Sequence, residues 1–193
     1  MPDIPDREIL MDKLIGYQAR EHWMGHEVLT IADVWPAEPR AMIVGLNPAP
    51  SSVEVGHYYQ GQVGQSQLRK LAAAGLFGAP SGRYFEGAAL AARVGFTDIV
   101  KRPSRGEGDV GADEIRYGSA QLTDNLRARG VGLIVCVFRH PVKVLLGSEG
   151  VAGMQPKVTP WGARVFRMPG PFDKRENVER VMSELSEYLD AGE

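Results

Sequence analysis

The chain contains 193 residues, of which 44% are hydrophobic and 24% are charged, which is the composition of one globular α/β domain with a substantial core. No apolar run approaches the roughly 20 residues that a membrane helix needs, and the single cysteine, Cys136, excludes disulfide frameworks and cysteine-rich metal sites within the chain. The net charge of −2 does not by itself indicate a nucleic-acid-binding protein. Residues 1–6 are acidic and contain no apolar signal region, so we expect a cytoplasmic protein without membrane attachment.

Apolar periodicity predicts helices and strands that alternate along the chain. The first element is an amphipathic helix over residues 7–24, followed by a proline-containing loop. Strands are predicted at 41–44, 96–100, 133–138 and 163–168, and helices at 65–74, 85–93, 113–129 and 141–146. A last helix follows from the i, i+3, i+4 spacing of apolar residues between 178 and 189, with Asp173 and Glu176 resembling a capping box at its start.

This alternation is typical of a short parallel sheet with helices on both faces. We interpret residues 1–193 as a single domain, with a helix and loop at 1–40 and a core at 41–191. Ligands in such folds bind beyond the carboxyl ends of the strands. Three basic clusters lie in or beside the segments that follow strands, and on one face they would suit a DNA backbone: Lys101, Arg102 and Arg105; Arg139 and Lys143; Lys174 and Arg175.

The signatures of several common chemistries are missing from the sequence. There is no Gly-rich dinucleotide-binding loop, no Walker loop, no His-Glu-x-x-His zinc motif and no Gly-x-Ser-x-Gly nucleophile motif. The four histidines show no reliable metal-ligand spacing. We therefore expect neither a metal nor a cofactor.

The predicted strand at 41–44 leads into Gly45-Leu46-Asn47-Pro48, which is followed by Ala49-Pro50-Ser51-Ser52. This segment resembles motif 1 of the uracil-DNA glycosylase superfamily, in the form used by the mismatch-specific uracil/thymine-DNA glycosylases. The similarity continues through residues 56–59, 74–76 and 95–103, and it extends from about residue 41 to residue 189.

The resemblance implies a fold, an activity and a partner. The fold is a three-layer α/β/α sandwich with a four-stranded parallel sheet. The activity is that of a monofunctional DNA repair glycosylase, which flips uracil, or a related deaminated or mismatched base, out of DNA and hydrolyses its N-glycosidic bond to leave an abasic site. The partner is uracil-containing, double-stranded DNA, and we expect a monomer associated with the nucleoid.

Motif 1 also implies roles for particular residues. Asn47 takes the position of the residue that orients the attacking water, although an amide is a poor general base. Tyr59 aligns with the aromatic that stacks on the flipped base, and its neighbour Tyr58 is not separated from it by sequence. Further contacts to the base or a phosphate are expected from Gly45, Leu46, Ser51, Ser52 and His57. The alternatives are an Asn47 that only tolerates a tight turn, tyrosines packed in the core, and a His57 in a structural hydrogen bond.

Asp98 stands where many superfamily members carry an asparagine that recognises the uracil edge. A carboxylate accepts a hydrogen bond from N3–H but cannot donate one to O4, and its charge opposes the negative charge that grows on the leaving base. Either Asp98 is partly protonated and contributes to base choice, or it points elsewhere.

The superfamily's second motif is altered in this chain. Gly170 stands where a histidine or asparagine is usual, so it offers no side chain to the uracil O2. In the segment Gly170-Pro171-Phe172, Phe172 is either the wedge that enters the base stack or a staple onto the last helix. Lys174, Arg175 and the helix amides behind them are expected to bind phosphate, as is Arg102 in the loop after the second strand.

Arg139 and His140 follow the third strand and are candidates to replace the missing second-motif group. Either side chain can stabilise the departing uracil anion; the alternative is a histidine at a helix start and a surface arginine. Two other functions remain open: a protein that binds uracil or abasic DNA with little or no excision, and a nucleoside hydrolase, which lacks the expected acidic cluster here.

Overall fold

The N-terminal segment differs from its prediction. The computed structural model describes residues 13–192, so the first part of the helix predicted at 7–24 lies outside the described residues. Its second part is wrong, because β1 (Gln18–Trp23) and β2 (His26–Ile31) form an antiparallel hairpin there. Met24 and Gly25 connect the two strands, and both have positive φ. A two-residue turn needs positive φ at both residues if its twist is to match that of the hairpin strands.

The central sheet confirms the predicted parallel architecture. Its strand order is β4-β3-β5-β7-β6. The four parallel strands are β3 (Ala41–Gly45), β4 (Val94–Asp98), β5 (Leu133–Cys136) and β7 (Arg164–Arg167). The sequence did not predict β6 (Gly153–Met154), a two-residue strand that pairs antiparallel with β7 at the edge of the sheet.

Six helices cover the two faces of the sheet within the described residues. They are α1 (Pro50–Val55), α2 (Gln62–Ala73), α3 (Glu86–Ala91), α4 (Ala112–Ala128), α5 (Arg139–Leu146) and α6 (Arg175–Ala191). No helix between residues 13 and 192 combines the length and the apolar character that a bilayer crossing requires.

Alternation along β3 divides the core into two layers. Ile43 faces a cluster that includes α2, α3 and α6, whereas Met42 and Val44 face a second cluster that includes α4 and α5. The strand is completely buried, which explains why its sequence is continuously apolar. Side chains of both core layers pack against β3, and this packing positions the end of the strand from which the loop with Asn47 emerges.

The capping box predicted for the last helix is wrong. Lys174, not Asp173, is the residue that precedes the first turn of α6. The Asp173 carboxylate instead accepts hydrogen bonds from the Gly170 N–H, at 3.0 Å, and from the Asn177 side-chain amide, at 2.9 Å. Asp173 therefore braces the turn between β7 and α6, where the altered second motif lies.

Candidate active site

A cavity of about 580 Å³ opens at the carboxyl ends of the parallel strands, where ligands bind in folds of this kind. Apart from Ile31 at the end of β2, the walls come from segments that follow strands or from the chain around Tyr59. The loop after β3 contributes residues 46–49, and the end of β4 contributes Asp98. The other walls include residues 104–107, Phe138 after β5, and Pro171 and Phe172 after β7.

The orientation of the Asn47 amide is fixed by its surroundings. Its Nδ2 donates to Ser104 Oγ at 2.8 Å and lies 3.3–3.5 Å from the carbonyl oxygens of Pro48, Arg102 and Ser104. All four neighbours are acceptors, so the nitrogen must face them. The amide oxygen accepts no hydrogen bond from residues 13–192 and is the group that Asn47 offers to the cavity, as an acceptor for a water proton.

The loop after β4 is held by Arg102. Its guanidinium makes a two-pronged contact with Glu114, at 2.8 and 2.7 Å, and donates to the Asp109 carbonyl at 2.7 Å. Arg102 lowers the pKa of the Glu114 carboxyl to about 2, chiefly through this hydrogen bond. The DNA contact expected of Arg102 stays a prediction, and in the structure its guanidinium is engaged with Glu114 and the Asp109 carbonyl.

The two tyrosines occupy different environments. Tyr58 is only 3% exposed and stacks on Phe96, with ring centroids 5.1 Å apart, while its backbone N–H donates to Glu86 at 2.7 Å. Tyr59 is partly exposed and has φ +53, a left-handed conformation that is uncommon for a bulky residue. Gly64 packs directly against it, because a Cβ there would lie 2.7 Å from Tyr59 Cβ. Both residues line the cavity, and Tyr59 is the more exposed of the two.

Asp98 lies at the cavity floor beside Gly45. A Cβ on Gly45 would collide with Asp98 Oδ1 and would lie 2.8 Å from the Tyr59 hydroxyl, so only glycine fits this position. Burial raises the pKa of Asp98 to about 7; Lys101 opposes the increase and Asp33 adds to it. The Lys101 ammonium is turned to Asp33, with which it forms an ion pair.

Asp98→Asn tests this ionisation through stability. The folded pKa of about 7 lies above the ordinary value of 3.8, so the contribution of Asp98 to stability is complete below pH 4 and is lost as the pH rises towards 7. A pKa difference of about three units corresponds to about 4 kcal/mol. We expect the stability of the Asn variant relative to wild type to increase by up to that amount between pH 4 and pH 8, measured by urea unfolding. An equal difference at both pH values would contradict the assignment.

Arg139 and His140 lie at the rim and do not line the cavity. Arg139 Nη2 lies 2.8 Å from Glu107 Oε1, and His140 Nδ1 lies 3.6 Å from Glu107 Oε2. Glu107 does line the cavity, and it lies between both side chains and the cavity interior. Glu107 was not predicted from the sequence, because it lies in a glycine-rich loop that matches no motif. Its place after the second predicted strand was the available signal.

The turn after β7 brings Phe172 to the cavity mouth. Phe172 is 92% exposed, so the staple onto the last helix is wrong. Gly170 is confined by the Asp173 carboxylate, whose Oδ1 would lie 2.9 Å from a Cβ at this position. Lys174 is exposed at the start of α6, and the exposed Arg175 pairs with Glu179 at 2.6 Å.

The remaining predicted contacts divide into two groups. Leu46 and Ser52 line the cavity, and Ser52 Oγ accepts a hydrogen bond from the Gln60 N–H at 3.1 Å. Ser51 and His57 do not line it. His57 stacks on Tyr84, with ring centroids 3.5 Å apart, and its Nδ1 lies 3.3 Å from buried Glu86, which is the environment of a structural histidine. Within residues 13–192, no three His, Cys, Asp or Glu side chains are grouped to hold a metal ion.

Comparison with known proteins identifies one family. The model of the uracil DNA glycosylase superfamily matches residues 32–180, which is most of the chain and includes every wall of the cavity apart from Ile31. The match is to the superfamily as a whole. No curated protein matches the chain.

Proposed function

Because the chain belongs to the uracil-DNA glycosylase superfamily, we propose that it hydrolyses the N-glycosidic bond of uracil in DNA, in the manner of the mismatch-specific members. The observation that carries the proposal is the Asn47 amide. Its nitrogen is held by four acceptors, and its oxygen is left to the cavity, where it can orient a water molecule.

The proposed reaction begins when the target nucleotide rotates out of the duplex and its base enters the cavity. Phe172 fills the gap in the base stack, and Tyr59 packs against the base. The bond between C1′ and N1 then breaks, and the electron pair leaves with the uracil as an anion. The water held by Asn47 adds its oxygen to C1′ and releases a proton to solvent, and the uracil anion takes up a proton from solvent, so that the products are uracil and an abasic site.

A direct assay tests this function. Labelled oligonucleotides with uracil opposite guanine, opposite adenine or in a single strand are incubated with the protein and then treated with alkali, which cleaves at abasic sites. We expect cleavage at the uracil position, with the highest rate opposite guanine, because a mismatched base costs least to flip. Binding in a gel shift without alkali-dependent cleavage would overturn the proposal.

That second outcome corresponds to a uracil- or abasic-DNA binding protein. The observation that favours this function is the altered second motif, in which Gly170 offers no side chain to a base. The two candidates to replace that side chain, Arg139 and His140, do not line the cavity. The gel shift and the alkali treatment separate the two functions, because binding alone leaves the glycosidic bond intact.

Arg139 and His140 remain our candidates for stabilising the uracil anion. Both lie at the cavity rim, where a positive charge still acts on an anion inside at reduced strength because of solvent. We expect Arg139→Ala and His140→Ala each to lower single-turnover excision by about tenfold, below the loss typical of a direct contact. Lys143→Ala, which removes an exposed cation from the same helix, is the matched control. Rates near wild type for both rim variants would end this assignment.

A further inference from the structure

The Asp98 side chain is buried without a partner. It is 5% exposed, and its carboxyl oxygens neither donate nor accept a hydrogen bond among residues 13–192. A buried polar group that lacks a hydrogen bond lowers the stability of a protein. Because Asp98 also lines the cavity, a bound molecule is the available partner for this carboxyl.

A second oxygen without a partner lies nearby. The Tyr59 hydroxyl is buried and makes no hydrogen bond within the described residues. It and Asp98 Oδ1 both approach the Cα of Gly45, where no side chain intervenes. The Asp98 carboxyl and the buried Tyr59 hydroxyl therefore lie close together at the cavity floor without protein partners, while the cavity walls are mostly apolar.

The charged groups around Asp98 leave its carboxyl with little compensation. Lys101 is the cation that acts on it, but its ammonium contacts Asp33 and the Asp98 backbone carbonyl rather than the Asp98 carboxyl. Asp33 acts on Asp98 in the opposite sense, because its negative charge raises the pKa of the Asp98 carboxyl. The titratable groups that Tyr58 and Tyr59 bring close to Asp98 are their phenols. The pKa of each phenol is raised well above its ordinary value, first by burial and second by the charge of Asp98.

Two other titratable groups near the tyrosines and the sheet do not offset a charge on Asp98, and the cavity-lining Arg105 and Glu107 are not among the groups that shift its pKa. Cys136 on the neighbouring part of the sheet is completely buried, and burial raises the pKa of its thiol, so it stays neutral. Glu21 on β1 is a further acid that acts on Tyr58, and its own pKa is raised by burial. These surroundings favour a neutral carboxyl on Asp98.

We propose that Asp98 captures the flipped base as a neutral carboxylic acid, accepting a hydrogen bond from N3–H and donating one to O4, so that base recognition in this protein requires a proton on Asp98. A neutral carboxyl has one donor and one acceptor, which match the acceptor and the donor on this edge of uracil. The ionised form has only acceptors, so it repels O4 and the negative charge that develops on the leaving base.

This inference rests on the proposed function only in that uracil enters the cavity, and binding tests it separately from cleavage. The probe is a duplex that contains 2′-fluoro-arabino-deoxyuridine, whose glycosidic bond resists hydrolysis. The reference is the same duplex with a tetrahydrofuran abasic analogue, which has the backbone but no base. The ratio of the two dissociation constants isolates capture of the base from pH effects on DNA binding.

We expect the wild-type preference for the uracil duplex to fall about tenfold between pH 6 and pH 8, because the protonated fraction of a group with a pKa of about 7 falls by that factor. Asp98→Asn keeps a permanent donor and acceptor, so its preference should be constant over the same range. Asp98→Ala should have a weak preference at both pH values.

A wild-type preference that does not change with pH, or an Asn variant with the same fall as wild type, would overturn the proposal; the wild-type measurement decides even where a variant does not fold. Single-turnover excision is followed in parallel. One outcome is that neither the wild type nor a variant cleaves uracil DNA at any pH, while the wild-type preference for the uracil duplex still falls as the pH rises. In that case the glycosylase function fails and the base-capture inference stands. If excision occurs but the preference is independent of pH, the inference fails and the function stands.

Discussion

Asn47→Ala is expected to lower the single-turnover rate of uracil excision by about 10²-fold, the lower end of what a positioned proton-accepting group contributes. The physical reason is the loss of the amide oxygen that orients water, while the cavity that binds the base is kept. Affinity for the non-hydrolysable uracil duplex should therefore change little. A variant that excises uracil at the wild-type rate would show that Asn47 serves only the turn before Pro48.

Asn47→Asp is the sharper variant, and we expect it to be slower than wild type at pH 8. A carboxylate is the better base in solution, but here one of its oxygens would lie 3.3–3.5 Å from three carbonyl oxygens, where Nδ2 now lies. That contact is repulsive unless the new acid is protonated, and a protonated acid is no base. A rate above wild type would show that the Ser104 loop moves away when DNA binds.

Ser104→Ala is the matched control for both Asn47 variants. It removes the 2.8 Å acceptor of the Asn47 amide nitrogen, together with the hydrogen bond that Ser104 Oγ donates to the Gly106 carbonyl at 3.1 Å. It leaves the three carbonyl oxygens near Asn47 in place. Its effect on excision should be much smaller than that of Asn47→Ala. A loss as large as that of Asn47→Ala would indicate that the loop position, and not the amide oxygen, limits the reaction.

Phe172→Ala is expected to lower uracil excision from duplex DNA by about 10- to 100-fold and to have little effect on single-stranded DNA. Opening a base stack costs a few kcal/mol per step, and an inserted apolar ring offsets that cost. An aromatic side chain that is 92% exposed at the mouth of the cavity makes few contacts within its own fold. Excision rates on matched single- and double-stranded substrates measure the effect.

The control for Phe172 is Val151→Ala, which shortens another apolar side chain that is 70% exposed and does not line the main cavity. Both substitutions should leave the free energy of unfolding within about 0.5 kcal/mol of wild type, as is usual for exposed positions. Equal losses on single-stranded and duplex substrates would assign Phe172 to base binding rather than to wedging.

The sequence was sufficient for the features that depend on local pattern. The continuously apolar strands β3 and β5 were predicted because strands buried on both faces have no polar side to alternate with. The position of Asn47 beyond the first parallel strand followed from the same pattern. The N-terminal hairpin was missed, because the helix was predicted from Ile9, Leu10, Leu14 and Tyr17, which all precede β1 in the sequence. The turn at Met24 and Gly25 carries no strong sequence signal.

Features that depend on partners distant in sequence required the tertiary structure. Arg102 looked like a free cation in a basic cluster, but the fold places Glu114 within hydrogen-bonding distance of it. Glu107 belongs to the site because the fold places its loop against Arg139 at the start of α5. No local pattern encodes either contact, since side-chain pairing across elements is decided by how the elements pack.

Asp98 shows most clearly which properties the sequence determined and which depended on the tertiary structure. The sequence determined that a carboxyl, which can carry a charge, stands within the second predicted strand, and the structure places it at the end of β4 beside Gly45. Only the tertiary structure decided that this carboxyl is buried, that Lys101 is turned to Asp33, and that its pKa is therefore raised to about 7. The physical reason is that the free energy of ionisation depends on desolvation and on distances to other charges, and both arise only when the chain has folded.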